Sequence, residues 1–222
     1  MSIKEIKKDA LASLSGRWGI AIVLSIVTFA FFTFIPMIIE ILGSGGFEAW
    51  YYAEVPPVEA STLSWIATIA ISPILYSYYW LFLDLQRGKS VSVGKLFGNV
   101  SKAGIYFKTI GLYLLTLIYT ILWSLLLLVP GIIKALAYSQ AYFILKDNPD
   151  MVVNDVITES RKLMDGYKWK YFLLTLSFIG WALLSILTLG IGLIWLVPYF
   201  TSALASFYQN LIEHRQPQNA AI

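Results

Sequence analysis

Long apolar segments alternate with short polar ones along the whole chain. Six apolar segments stand out, at residues 18–42, 62–83, 109–129, 132–145, 171–188 and 191–211. A helix needs about 20 mainly apolar residues to cross a bilayer, and it satisfies its own backbone polar groups there. The pattern therefore predicts an all-α, polytopic membrane bundle. We expect six transmembrane helices arranged as three hairpins, in one integral membrane domain that covers residues 1–222. The turn between the third and fourth spans is expected at Pro130-Gly131.

Three of the polar segments are amphipathic. Residues 1–17, 93–100 and 150–165 carry apolar side chains at helical spacing between charged ones, which predicts helices at the membrane interface. The first segment could equally be an ordinary basic flank of the first span. In the third, Asp150 is expected to cap the helix. That helix should direct four side chains toward lipid or protein: Val153, Val156, Ile157 and Met164.

A weak repeat accompanies these elements. A glycine followed within two residues by an aromatic precedes each odd-numbered span, at Gly16, Gly104 and Gly166. Ser77, Ser139 and Ser202 stand 62 and 63 residues apart in the even-numbered spans. Three copies of a surface helix plus a membrane hairpin fit this spacing. The other explanation is that any strongly apolar sequence aligns with itself.

The distribution of charge predicts an orientation. Of the 222 residues 58% are apolar and only 13% charged, and the net charge is +3. With six spans, one side receives 15 of the 16 Lys and Arg residues, and Lys134 is the exception. Basic residues accumulate on the cytoplasmic side of short loops, so we expect both termini in the cytoplasm. The first span exceeds the length of a signal-peptide apolar region and is expected to stay uncleaved.

Three stretches resemble a known bacterial family of integral membrane proteins. They read PGIIKALAYSQAYFILKDNPD, ESRKLMDGYKWKYFLLTLSFIGW and LTLGIGLIWLVPYFTSALASFY, and the N-terminal DALASLSGRWGIAI is similar to that family's opening segment. The family is the one catalogued as domain of unknown function 975. The resemblance implies a bacterial plasma-membrane protein with a helical membrane domain. It supplies no catalytic residue, cofactor, ligand or partner.

The sequence offers few groups for catalysis. There is no cysteine, and the lone His214 lies in the polar tail. Asp147, Asp150 and Asp155 are better explained by a turn and a helix cap than by a cation site. We therefore expect no catalytic, cofactor-binding or metal-binding residue, and no enzyme activity. The expected partners are the lipid bilayer and either a second copy or another membrane protein. The small, scattered positive charge argues against nucleic acid.

Two functions from different classes remain open. The first is a non-enzymatic membrane scaffold, stress or immunity-type factor, favoured by the amphipathic segments and the scarcity of charge in the spans. The alternative is a small transporter or export component, because hairpins entering from one side are parallel repeats of the kind some transporters use. The polar positions Lys134, Ser139 and Gln140 within the fourth span support that alternative.

Lys134 is the candidate site residue. It could extend its ammonium group to the lipid headgroups. It could instead pair with Glu40, which lies near the end of the first span. In a third interpretation Lys134, Tyr138 and Tyr142 form one helical stripe that lines a polar groove for a lipid headgroup or an anionic substrate.

Overall fold

The computed structural model describes residues 2–219, with side chains through Arg215, and these residues form twelve α-helices and no strand. The helices are α1 Ile3–Leu14, α2 Trp18–Gly43, α3 Phe47–Tyr52, α4 Val58–Gln86, α5 Val93–Gly98, α6 Ala103–Leu126, α7 Leu128–Tyr138, α8 Ala141–Asp147, α9 Val153–Leu163, α10 Lys168–Leu176, α11 Ile179–Leu187 and α12 Leu193–Asn219.

Five helical segments of this described part are long and apolar enough to cross a membrane. They are Trp18–Gly43, Val58–Gln86, Ala103–Leu126, Leu128–Asp147 and Lys168–Leu187. These correspond to the first five predicted spans, so an all-helical protein with several membrane-compatible helices is confirmed. The predicted sixth span, 191–211, lies in α12, which is long but is not one of the five. Its buried hydroxyl groups, from Thr201, Ser202 and Ser206, make it less apolar.

The predicted turn at Pro130-Gly131 is wrong. Helix α6 ends at Leu126, Leu127 is extended, and both Pro130 and Gly131 lie inside α7. Proline fits there because the first N–H groups of a helix have no partner within the helix.

Two predicted spans are interrupted, and the link between the first two spans contains a helix. The fourth span breaks at Ser139-Gln140, between α7 and α8, and the fifth breaks at Ser177-Phe178, between α10 and α11. Between the first two predicted spans, in residues 43–61, α3 follows a turn at Gly45 and Gly46. Both glycines have a positive φ, which costs glycine little.

A close contact at a glycine joins each pair of neighbouring antiparallel helices. A methyl group at Gly131 would lie 2.8 Å from Ser124 Cα, and one at Gly192 would lie 3.0 Å from Ser185 Cα. The first pair, α2 and α4, has a similar close contact at Gly43, where an added methyl group would lie 3.0 Å from Ala60. Small residues at these points let the backbones approach, which is how helices pack well in lipid.

The amphipathic helices are present, and they dock on this chain. Helix α1 packs mainly on α12, α5 on α4 and α2, and α9 on α6, α7 and α8. Ile6, Ala10 and Leu14 of α1 are fully buried. The apolar face of α1 therefore packs against the chain's own helices, which the amphipathic pattern alone does not specify.

Helix α9 lies within the range predicted for it. Val156, Ile157 and Met164 are buried, as predicted, and Val153 packs against the core. Val152 occupies the N-cap position without a side-chain hydrogen bond, so the expected cap at Asp150 is wrong.

Apolar side chains remain exposed over much of the helical surface. They include Phe29 on α2, Trp65 on α4, Leu125 on α6, Val129 on α7 and Leu187 on α11, each more than half exposed. Such surface is far more than a soluble monomer leaves in water, and it suits contact with lipid.

Candidate functional site

Serine hydroxyls tie the amphipathic helices to the hairpins. Ser77 Oγ on α4 donates to the carbonyl oxygen of Lys95 on α5 at 3.3 Å. Ser202 Oγ on α12 donates to the carbonyl oxygen of Ala10 on α1 at 3.1 Å. These two serines occupy equivalent positions of the predicted repeat, and they make equivalent contacts.

The middle copy uses a different serine for the same purpose. Ser139 Oγ bonds within its own helix, to the carbonyl oxygen of Leu136. Ser160 Oγ on α9 instead donates to the carbonyl oxygen of Ala137 at 2.8 Å and accepts from the Gln140 N–H at 3.2 Å. These bonds satisfy backbone groups that the break between α7 and α8 leaves without a helical partner.

The ends of α4, α8 and α12 meet in a set of polar side chains that we call the polar network: Asp84, Arg87, Lys146, Asp147, Tyr208 and Gln209. Lys146 Nζ lies 2.7 Å from Asp84 Oδ2, and both side chains are 15% exposed. Arg87 binds both carboxylate oxygens of Asp147, at 2.6 and 2.7 Å. Two-point arginine pairing of this kind fixes orientation as well as distance. The ion pairs therefore bind α4 to α8 at one end.

Helix α12 completes the network. Arg87 Nε donates to Gln209 Oε1 at 3.0 Å, and Tyr208 Oη donates to Asp147 Oδ2 at 2.9 Å. The hydrogen bonds that Arg87 donates to Asp147 raise the pKa of Arg87, so the guanidinium group stays charged. One arginine thus holds three helices in place.

Aromatic rings fill the space beside the polar network. Phe143 stacks on Tyr208 with ring centroids 5.0 Å apart, and Tyr142 lies 4.6 Å from Tyr79. Trp80 Nε1 donates to the carbonyl oxygen of Tyr142 at 2.6 Å. The same three helices, α4, α8 and α12, supply these rings, so packing and ion pairing act on one junction.

The predicted pair between Lys134 and Glu40 is not formed. Glu40 accepts hydrogen bonds from Trp50 Nε1 and Ser61 Oγ, each at 3.4 Å. Lys134 Nζ lies 4.3 Å from the centroid of the Trp123 ring. Lys134 also lines a cavity beside Arg161, so its neighbours come from the charged segment 146–170. The expectation that Lys134 stands apart from the other basic residues is therefore wrong.

The stripe of Lys134, Tyr138 and Tyr142 is broken by the interruption between α7 and α8. Tyr138 is buried, with its ring 6.3 Å from Tyr119, whereas Tyr142 packs among Tyr79 and Phe143. A helix break resets the angular phase, so positions i and i+8 no longer share a face. Neither tyrosine lines the cavity at Lys134.

Sequence reasoning missed the polar network, although one signal for it was present. Asp84, Lys146 and Gln209 are separated by the same 62 and 63 residues as the three repeat serines. Each of these three residues lies seven positions after one of the repeat serines, so the repeat could have identified them as a set of candidate residues.

The surroundings of this junction contain no recognisable metal centre. Between residues 2 and 219, no group of three or more His, Cys, Asp or Glu side chains is placed to hold a metal ion.

Comparison with known proteins gives one match. No curated protein and no solved structure matches the chain. Residues 125–215 match the model of a family described as protein of unknown function (DUF975). The matched segment contains α8 and most of α12, and hence Lys146, Asp147, Tyr208 and Gln209 of the polar network. Through residues 125–215, this chain is therefore similar to the DUF975 family of proteins of unknown function.

Proposed function

We propose that the chain is a multi-pass protein of the bacterial plasma membrane, with six crossings in three hairpins and both termini in the cytoplasm. The five membrane-compatible helical segments support the crossings, and α12 would supply the sixth. The polar segments support the orientation, because those that would face the cytoplasm carry 15 of the 16 basic residues. Lys134, the sixteenth, lines a cavity with Arg161 from one of these segments. The resemblance of the sequence to a bacterial membrane family supports the location.

Within that membrane, the chain acts as a non-enzymatic scaffold. The observation that carries this proposal is the junction of α4, α8 and α12, where ion pairs and stacked rings join three helices. Two of these helices, α4 and α12, also keep exposed apolar surface. Such an arrangement holds membrane helices in fixed positions and leaves their lipid-facing surfaces available to neighbours. A stress or immunity-type factor that works through contacts in the bilayer would need these properties.

A small transporter is the second candidate, and the same junction is the reason. Transporters built from parallel repeats place charged groups where the repeats meet, and Asp84, Lys146, Arg87 and Asp147 lie there. The aromatic filling favours the scaffold, because Phe143 is fully buried between Tyr79, Tyr142 and Tyr208.

Solvent access to the junction distinguishes the two candidates. The chain has no cysteine, so single-cysteine variants can be labelled with a membrane-impermeant maleimide without background. Tyr79→Cys probes the aromatic filling, while Tyr52→Cys and Lys89→Cys serve as exposed references. Labelling is measured in intact spheroplasts and in inverted vesicles.

If the chain is a scaffold, we expect each reference position to be labelled from one side only and position 79 to be labelled from neither side. Labelling of position 79 from the side that labels position 52 would show an opening through the junction, and would replace the scaffold proposal with the transporter.

A further inference from the structure

A cavity of about 360 Å³ lies where α7, the end of α9 and the start of α10 meet. We call it the cationic pocket, and its lining is Ile133, Lys134, Ala137, Thr158, Arg161, Lys162, Asp165 and Lys168. Four of these eight residues are basic and one is acidic. They come from three helices and from the link before α10, so folding, rather than sequence adjacency, brings the positive charges together.

The nearby carboxylates pair with two of the four basic side chains and leave the other two without an acidic partner. Lys168 Nζ lies 3.4 Å from Asp165 Oδ1, and Lys162 Nζ lies 3.4 Å from Glu159 Oε2. Within the part of the chain that the structure describes, neither Lys134 nor Arg161 forms an ion pair. Arg161 and Lys168 act on Lys134 as like charges. Such repulsion is relieved when an anion enters between the charges.

Lys134 is held in place for such an anion. Its ammonium group lies 4.3 Å from the centroid of the Trp123 ring, a contact that orients a cation without neutralising it. On the opposite wall, the carbonyl oxygen of Lys162 accepts a hydrogen bond from Arg215 Nη2, which anchors the end of α9 to α12. Thr158 also lines the pocket, and a threonine hydroxyl group can donate to an oxyanion.

Apolar surface borders the cationic pocket. Ile132 and Ile133 on α7 are 49% and 45% exposed. Next to Lys168 in the sequence, the exposed Trp169 stacks on Phe172 with ring centroids 5.2 Å apart. A soluble anion would make no contact with this apolar surface. A phospholipid would, because its phosphate group lies directly above its acyl chains. Tryptophan beside basic residues is also typical of the headgroup layer.

We propose that the cationic pocket binds the phosphate of an anionic phospholipid, whose acyl chains lie along α7 and α10. Lys134 and Arg161 bind the phosphate oxygens, and Thr158 adds a neutral donor. Basic pockets between membrane helices recognise headgroups in this way. The proposal rests on the membrane location proposed above, and it names the molecule that the site takes.

The test uses native mass spectrometry of the purified full chain in detergent. Phosphatidylglycerol, phosphatidylcholine and inorganic phosphate are each titrated against the wild type, the double variant Lys134→Gln/Arg161→Gln, and the control Lys4→Gln/Lys102→Gln. The control removes the same charge at two exposed positions outside the pocket. Thermal unfolding confirms that each variant is folded. If the double variant does not fold, Arg161→Gln alone replaces it.

We expect the wild type and the control to bind phosphatidylglycerol in preference to phosphatidylcholine. The pocket variant should lose about 10-fold or more in affinity for phosphatidylglycerol, as expected when two headgroup-facing cations are removed. Equal binding of the two lipids by the wild type, or undiminished binding by the pocket variant, would overturn the proposal. So would displacement of the lipid by equimolar inorganic phosphate, which would make the site one for a free anion. None of these outcomes depends on the labelling of position 79, so the two proposals fail separately.

Discussion

Arg87 binds two acceptors that are far apart in the sequence. Asp147 lies 60 residues away on α8, and Gln209 lies 122 residues away on α12. The Arg87 and Asp147 side chains are 22% and 24% exposed, so water screens the pair less than it would on an open surface. Removing one member of such a pair leaves the other charge without a partner. The resulting loss of stability is larger than the net contribution of the intact pair to stability.

Asp147→Asn should therefore destabilise the protein by about 1–3 kcal/mol, the range for lost hydrogen bonds to charged groups. Glu159→Gln breaks the exposed pair with Lys162 and is the matched control, with an expected effect of about 0.5 kcal/mol or less. Thermal unfolding in detergent measures both. The double variant Asp147→Asn/Arg87→Gln should cost less than the sum of the two single changes. Additive losses would show that the pair is not coupled.

Gly131 tests the close packing of α6 on α7. A methyl group there would meet the backbone of Ser124 at 2.8 Å, so Gly131→Ala should force the helices apart and cost about 1–3 kcal/mol. Gly104→Ala in the same hairpin is the control, because nothing lies within 4 Å of its added methyl group. That control should be neutral or stabilising by up to about 1 kcal/mol, since alanine is the better helix former. Equal unfolding temperatures for the two variants would contradict the packing.

Among the elements, α1 shows what an amphipathic pattern leaves undecided. Periodicity identifies the buried face but does not say what covers it. Here α12 covers it, and the Ser13 and Ser202 hydroxyls lie 2.7 Å apart across the contact. A capping box between Ser2 and Glu5 starts the helix, as its sequence allows. Local spacing could not decide between lipid and protein, because the covering helix lies far away in the sequence: Ser13 and Ser202 are 189 residues apart.

Ile6→Ala and Leu11→Ala test the docking of α1. Ile6 is fully buried against the chain, so its truncation should cost about 2–4 kcal/mol in unfolding free energy, whereas Leu11 is 45% exposed and should cost less than about 1 kcal/mol. Thermal unfolding of the two variants, purified in the same detergent, provides the comparison. A larger loss for Leu11→Ala would mean that α1 presents its other face to the protein.

Element boundaries were predictable where composition changes sharply. The first span was expected at 18–42 and runs from Trp18 to Gly43, because glycines and charges border it. The break at Ser139-Gln140 was not predictable, since two small polar residues inside an apolar run do not by themselves end a helix. The interruption depends on Ser160, which arrives from α9 and satisfies the freed backbone groups.

At the scale of the whole molecule, the amphipathic helices all pack in the same way, each against the long apolar helices. Each amphipathic helix packs on a hairpin: α5 on α2 and α4, α9 on α6 to α8, and α1 mainly on α12. Helix α1 also contacts α4 and, more weakly, α10. The first and last elements of the chain thereby meet. The sequence repeat suggested three similar units but not this closure, because the pairing of α1 with α12 is a long-range contact. The polar network could not be predicted for the same reason. Asp84 and Lys146 form an ion pair only because α4 and α8 are neighbours in the fold.

Cysteine accessibility along the chain tests the central claim most directly, namely that three hairpins enter the membrane from the cytoplasmic side. Single cysteines replace Tyr52, Leu127 and Leu189 at the three hairpin turns, and Lys89 and Pro149 between hairpins. Impermeant maleimide should label the first three from outside intact cells, and the last two only in inverted vesicles. Labelling of position 149 from the same side as position 52 would contradict the six-crossing arrangement.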